Sequence, residues 1–368
     1  MVNSKSLIIT KGNYTGIKKM RLSGTLSKKW ILVILICFSY YAGHTQNQIQ
    51  KGYNLYLQKE YHRALDTLDI AVKSYPDSAR AFLVMGMIKA ANRNYESAMA
   101  DYDKALKLKP GYIDALNKRG LCKLAFNNKT EAIHDFNKAI ELDSGNAEAY
   151  YNCGVAKEGL SDYMSAINEF NKAIKFKASY ADAYCDKGIS EGCLNNYSDA
   201  MNDLNKALKL DSASIESHRN KGHELFYDKK YLEALDDFNY ASDLMPSYTE
   251  IFIDRGIVEE KLNDTVGALK DYNTAIGINL ASAHAYFRRG QIKDEIKDYN
   301  GAIYDYTFAI KIIPYFADPY YKRGMAKINS GNNKDACNDF DMALKLGYSD
   351  AAQAFKQYCN HTTQHGVK

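Results

Sequence analysis

A glycine returns every 34 residues along most of this chain, at Gly52, Gly86, Gly120, Gly154, Gly188, Gly222, Gly256, Gly290 and Gly324, with no insertion or deletion between copies. An alanine follows each one by twelve residues, at Ala64, Ala98, Ala132, Ala166, Ala200, Ala234, Ala268, Ala302 and Ala336. A second alanine comes seven residues later in every copy, from Ala71 to Ala343. Three small residues held in register over nine copies define a repeat array. Each copy is then one supersecondary unit that buries its apolar face only against its neighbours.

Each copy divides into two stretches with helical apolar spacing, such as Phe82, Met85 and Gly86 followed by Ala98, Tyr102 and Ala105. Five prolines in 368 residues leave long tracts suited to helix. The two stretches are separated by polar breaks such as "NRNY" and "LSDY". Seven of the breaks carry Asn or Asp before the second helix: Asn94, Asn128, Asp162, Asn196, Asp264, Asp298 and Asn332. Those side chains suit a tight turn and a helix start. A glycine inside a helix costs about 1 kcal/mol against alanine, so nine of them need a packing reason. The expected reason is that each glycine lets the alanine of the second helix approach, while the later alanine does the same for the next copy. A larger side chain at Gly188 or Ala200 should then overpack the pair by roughly 1–3 kcal/mol. Tyr or Phe four residues before the glycine, and again four after the first alanine, reads as core.

The large–small–aromatic order, the Gly–Ala–Ala spacing and the closing Pro76, Pro110, Pro246 and Pro314 resemble the tetratricopeptide repeat family. The resemblance spans residues 46–350 as nine repeats and implies an all-α, right-handed α–α superhelix. Ser144, Ala178, Ser212 and Leu280 depart from the closing proline, no Trp occurs in the repeats, and Gln48 replaces an aromatic in the first copy, whose start is expected to fray. A stacked array leaves its last apolar face bare, so residues 351–360 are expected as a capping helix and 361–368 as a loose tail. Exported arrays of the Bacteroidetes type end similarly, which implies a Cys337–Cys359 bridge worth roughly 2–4 kcal/mol. The alternative is two buried thiols.

Residues 1–45 form a separate segment. A basic start, an apolar run from Trp30 to about Tyr41 and then small polar residues follow the layout of a secretory signal, with cleavage expected after Thr45 and Met20 as a plausible true start. Cys37 follows the bulky Ile36, which argues against lipid attachment. The protein is therefore expected to be exported, periplasmic or envelope-associated, with an uncleaved anchor as the alternative. The formal charge of +4 includes seven basic residues from this segment, which holds no Asp or Glu, so the remainder carries 4 − 7 = −3. That sign disfavours nucleic acid as a partner.

No phosphate loop, nucleophile elbow or metal-binding pair appears, so no cofactor, metal, small-molecule substrate or enzymatic activity is expected. His218 and His223 lie about 140° apart on a helix and read as one packed and one surface histidine. The acids that precede the second-helix aromatic in eight copies, from Asp101 to Asp339, four of them with a Lys three residues on, read as solvated helix-face groups. Function is left to a groove. The resemblance implies that first helices line it, presenting residues three before and one after each glycine. Those are Ile49, Tyr53, Leu83, Met87, Asn117, Leu121, Tyr151, Val155, Cys185, Ile189, Arg219, His223, Ile253, Ile257, Phe287, Gln291, Tyr321 and Met325. The lining is apolar and aromatic, suiting a protein or peptide partner. A place in a membrane-envelope complex is the alternative.

Overall fold

A computed structural model describes residues 46–359. The expected signal segment at 1–45 and the tail at 361–368 lie outside the described residues. Every regular element among the described residues is a helix. The chain divides into two compact units, 1–127 and 128–368.

The first unit holds α1 (46–57), α2 (Tyr61–Ser74), α3 (Ala79–Ala91), α4 (Tyr95–Leu108) and α5 (Ile113–Ala125). The second unit runs from α6 (Lys129–Leu142), α7 (Ala147–Glu158), α8 (Tyr163–Phe176) and α9 (Ala181–Cys193) through α10 (Tyr197–Leu210), α11 (Ile215–Tyr227) and α12 (Tyr231–Leu244). It continues with α13 (Thr249–Lys261), α14 (Thr265–Ile278), α15 (Ala283–Glu295) and α16 (Tyr299–Ile312). It closes with α17 (Ala317–Asn329), α18 (Asn333–Lys345) and α19 (Ala351–Cys359). Within each unit consecutive helices pack as neighbours, the helices of one repeat most closely.

The break between paired helices turns on one residue in the left-handed region. It falls seven after each glycine: Lys59, Arg93, Asn127, Ser161, Asn195, Lys229, Asn263 and Lys297, with φ between 59° and 69°. The ninth copy uses Gly331 at φ 85°, the residue that takes this conformation without a Cβ penalty. Asn94, Asp162, Asp264 and Asp298 then cap the second helix, each accepting a backbone N–H three residues on. Asn128, Asn196 and Asn332 make no such bond.

The glycines serve a different neighbour from the one expected. A Cβ at Gly86 would stand 2.5 Å from the Tyr102 ring, and one at Gly154 the same distance from Phe170. Gly222, Gly256, Gly290 and Gly324 face Phe238, Tyr272, Tyr306 and Phe340 in the same way, and Gly52 faces Leu68. At Gly188 the alanine shares the contact, through the Ala200 carbonyl at 3.1 Å beside Leu204. The glycine thus opens a slot for the large side chain one helical turn beyond the alanine. The later alanines behave as expected: Ala71 clusters with Ala81 and Val84 of the next first helix, and Ala173 with Ala183.

The acid before each second-helix aromatic is also not solvated. Asp101, Asp135, Glu169, Asp203, Asp237, Asp271, Asp305 and Asp339 are all buried. Their main partners come from the first helix of the same repeat: Lys89 to Asp101 at 2.5 Å, Lys157 to Glu169 at 2.7 Å, Lys187 to Asp203 at 3.0 Å and Lys221 to Asp237 at 2.9 Å. Arg255 grips Asp271 with two bonds, 2.6 and 2.7 Å, and also donates to Asn239 of the preceding repeat at 2.9 Å. Asp305 takes Arg289 and Lys293, and Asp339 takes Arg323 and Lys327. Lys104 and Lys172, the expected partners, add contacts at 3.8 and 3.1 Å. Packing an acid out of water is costly unless it is paired and hydrogen-bonded, and the cation therefore fixes how the two helices cross.

At the end of the second unit, α19 lies on α18, with Ala354 and Cys359 clustered against Ala336 and Phe340. The Cys337 and Cys359 sulfurs stand 2.10 Å apart, bonding distance.

Candidate functional site: the face of the first helices

The nominated groove residues occupy successive first helices, with unequal freedom. In the first unit Leu83 is 6% exposed and has little surface to offer, while Tyr53 and Met87 are half-buried. In the second unit Phe287 is 9% exposed and enclosed by Tyr306 and Phe316. Tyr151, Val155, Ile189, Arg219, His223, Gln291, Tyr321 and Met325 are half-buried.

A two-repeat alternation explains part of this. Eight residues before each glycine from Gly86 onward stands either a small polar residue or an aromatic one. Ser78, Asn146 and Ser214 cap their helices there. Tyr112, Tyr180, Tyr248 and Phe316 fill the same place in the intervening copies and make no side-chain cap. Tyr180 packs on Tyr151 at 4.8 Å, Tyr248 sits under the Arg219 guanidinium at 5.6 Å, and Phe316 packs on Phe287 at 5.0 Å. In each case a predicted groove residue is roofed by an aromatic from the next turn. Tyr348 covers Tyr321 similarly at 4.8 Å. Serine and asparagine satisfy helix ends whereas aromatics cover neighbours, so the face alternates between open and roofed repeats.

Carboxyls crowd the face across α7, α9 and α11. Asp186 accepts from the Tyr151 hydroxyl, yet burial, then Glu216 and Asp182, push it up to about 6. Burial, then Asp186 and Glu216, push Glu158 up to about 7. Glu259 stands where other repeats place the lysine of the buried acid, and burial, then Asp271, push it up to about 7. These groups are neutral in both folded and unfolded chains at low pH. As pH rises past the ordinary carboxyl range, the unfolded chain ionises first, so stability falls until pH passes 6–7 and then levels. Each group contributes on the order of 1–3 kcal/mol to that loss. Urea midpoints should therefore drop between pH 5 and pH 8, and Glu158→Gln combined with Asp186→Asn should flatten the drop. An unchanged slope in the double variant would contradict this origin.

The two histidines do not converge. His218 bonds Asp237 at 2.7 Å and packs on Tyr240 at 4.4 Å, the packed position expected of it. His223 is half-buried rather than a surface residue, 3.1 Å from Asp254 and edge-on to Phe238 at 5.4 Å. No group of His, Cys, Asp and Glu among the described residues could hold a metal ion. Beside His223 a cavity of about 280 Å³ opens between α11, α13 and α15, lined by Phe226, Tyr227, Phe238, Ile257, Val258, Lys261 and Arg288, with Asp254. Ile257 was among the nominated residues. Phe226, Lys261 and Arg288 were not, although they sit four or five after, or two before, a repeat glycine, on the same helix face.

A family model described as tetratricopeptide repeat matches residues 49–113, and a second, described as TPR repeat, matches residues 127–161. A solved tetratricopeptide repeat protein from Parabacteroides merdae aligns with a TM-score of 0.54 at 18% identity, over 67% of this chain and 98% of that one. A chain of the APC/C hetero-tetramer Cut9–Hcn1 aligns with a TM-score of 0.56 at 14% identity, over 82% of this chain and 60% of that one. The Pseudomonas aeruginosa protein pilF aligns with a TM-score of 0.52 at 19% identity, over 58% of this chain and 98% of that one. At such identities the likeness shows the fold. No curated protein matches the chain. Residues 49–113 and 127–161 thus match tetratricopeptide repeats, and the 34-residue register they lie in continues beyond them.

Proposed function

We propose that this protein is an exported, non-enzymatic scaffold that holds a protein or peptide partner on the face built by its first helices. The observation that carries the reading is the row of half-buried apolar side chains on first helices of the second unit, among them Val155, Ile189, Ile257 and Met325. Such side chains keep area to lose to a partner while their backbone positions are fixed by helix packing. Export is supported by the signal-like order of residues 1–45 and by the paired sulfurs of Cys337 and Cys359, since disulfides persist in oxidising compartments. Crosslinked affinity capture from the native envelope fraction should retain a specific protein, and the captured chain should lack residues 1–45 and carry a Cys337–Cys359 linkage in its mass spectrum. Free thiols at both positions in that fraction would overturn the oxidised, exported reading.

A second reading, a fixed component of an envelope complex for secretion, assembly or polymer handling, is favoured by one observation. Large apolar side chains stand exposed on second helices and turns, including Met164, Leu232, Val266, Leu280 and Tyr315, and such side chains mark contact surfaces where they are contiguous. Gentle detergent extraction and sizing separates the two: a monomer with a transient partner supports the scaffold, a large stable assembly the component.

A further inference from the structure

The cavity between α11, α13 and α15 combines an apolar floor with a cationic mouth. Phe226, Ile257 and Val258 form the floor, the ring of Phe238 lies buried beneath, and Tyr227 stands 64% exposed at the side. Its volume of about 280 Å³ lies just under the range of small-molecule pockets, so it has room for one large side chain. The charges at the mouth do not balance. Asp254 is already engaged, since its Oδ2 accepts from Arg219 Nε at 2.6 Å and lies 3.1 Å from His223 Nε2. Arg288 stands 3.7 Å from Glu260, whose carboxylate also accepts from the Tyr272 hydroxyl. Lys261 is exposed, and its charge, like that of Arg288, acts on Glu260. Among the residues that line the hole, Lys261 and Arg288 are cationic, and the one carboxylate, Asp254, is taken by Arg219 and His223.

We propose that this cavity seats one large apolar side chain of a peptide partner, with an adjacent carboxylate of that peptide held by Lys261 and Arg288. The proposal rests on the scaffold reading and names the partner's chemistry. Charge complementarity disfavours a basic segment, because a lysine beside the anchor would meet Lys261 and Arg288 at the mouth. The apolar floor excludes a bare anion, which would leave Ile257 and Phe226 uncovered.

The test uses the purified chain and three fluorescein-labelled Gly-Ser octapeptides carrying a central Phe-Asp, Phe-Lys or Ala-Asp pair, followed by anisotropy. The Phe-Asp peptide should bind at least about tenfold more tightly than either control, a difference of 1.4 kcal/mol. Lys261→Glu with Arg288→Glu should invert the ranking toward Phe-Lys. Ile257→Lys should abolish binding while its thermal melt stays that of the parent. Equal binding of the three peptides, no binding of Phe-Asp, or an unchanged ranking in the charge-reversed variant would each overturn the assignment. So would a dimer of the parent chain that Ile257→Lys dissociates, which would make the cavity a contact between copies. If these variants still capture the native partner, the scaffold reading stands and this one falls.

Discussion

Asp305→Ala should destabilise the second unit by roughly 3–5 kcal/mol, the cost of breaking a buried ion pair from one side. Asp305 is 0% exposed and accepts from Arg289 at 2.6 and 2.9 Å, with Lys293 at 2.9 Å. Removing it leaves two cations facing each other with no anion between α15 and α16. Asp103→Ala is the control: that carboxylate pairs with Arg119 at 2.6 Å but is 61% exposed, and exposed pairs are worth about 0–1 kcal/mol. Urea unfolding, followed by circular dichroism and by hydrogen exchange in α15 and α16, reads the difference. Replacing Asp305, Arg289 and Lys293 together by leucine and methionine should recover much of the loss, because a buried pair often gives way to well-packed apolar residues without penalty. Equal effects of Asp305→Ala and Asp103→Ala would mean that the clamp contributes no more than a surface contact.

The second large effect is a change of sign. Gly154→Ala should destabilise the parent by roughly 1–3 kcal/mol, since the new Cβ would stand 2.5 Å from the Phe170 ring inside a packed pair. Once Phe170 is replaced by alanine, the same change should instead stabilise by up to about 1 kcal/mol, because the steric cost is gone and helix propensity remains. A double-mutant cycle measures this directly. Identical costs in both backgrounds would place the close contact elsewhere, as the glycine–alanine pairing expected from spacing alone would do.

That pairing shows where sequence spacing stops being informative. The period, the two helices per repeat and the buried alanines are legible because they are properties of position, and a fixed register displays position. What touches the glycine depends on where a side chain points. A helical side chain leans toward the N-terminus over the preceding turn, so the ring at Phe170 fills the slot at Gly154 although Ala166 is nearer in sequence. The buried acids were misread for a related reason. A lysine three residues on suggested a surface pair, while the stronger partners sit 12 or 16 residues earlier on another helix. The signal was nonetheless present. Where the residue before the glycine is Met85 or Cys153, Lys89 or Lys157 follows the glycine by three; where that later place holds Glu191, Leu225 or Glu259, the earlier one holds Lys187, Lys221 or Arg255. One cation or the other is always supplied in these repeats, a compensation that only a buried acid demands.

The candidate face was legible in part. Ile257, Ile189 and Tyr321 were found by counting from the glycines, whereas Leu83 and Phe287 obey the same count and are enclosed. Phe316, 29 residues on (316 − 287), covers Phe287 at 5.0 Å. The count reached the cavity through His223 and Ile257 but passed over Lys261 and Arg288, which stand at other offsets from the glycine.

The central claim is that partners meet this protein on its first helices. A photo-crosslinking amino acid placed at Ile257 or Met325, on first helices, and at Val266 or Tyr304, on second helices, tests it in the native cell. Adducts with a single protein from the first pair and none from the second are the result predicted. Adducts only from Val266 and Tyr304 would move the binding surface to the opposite set of helices.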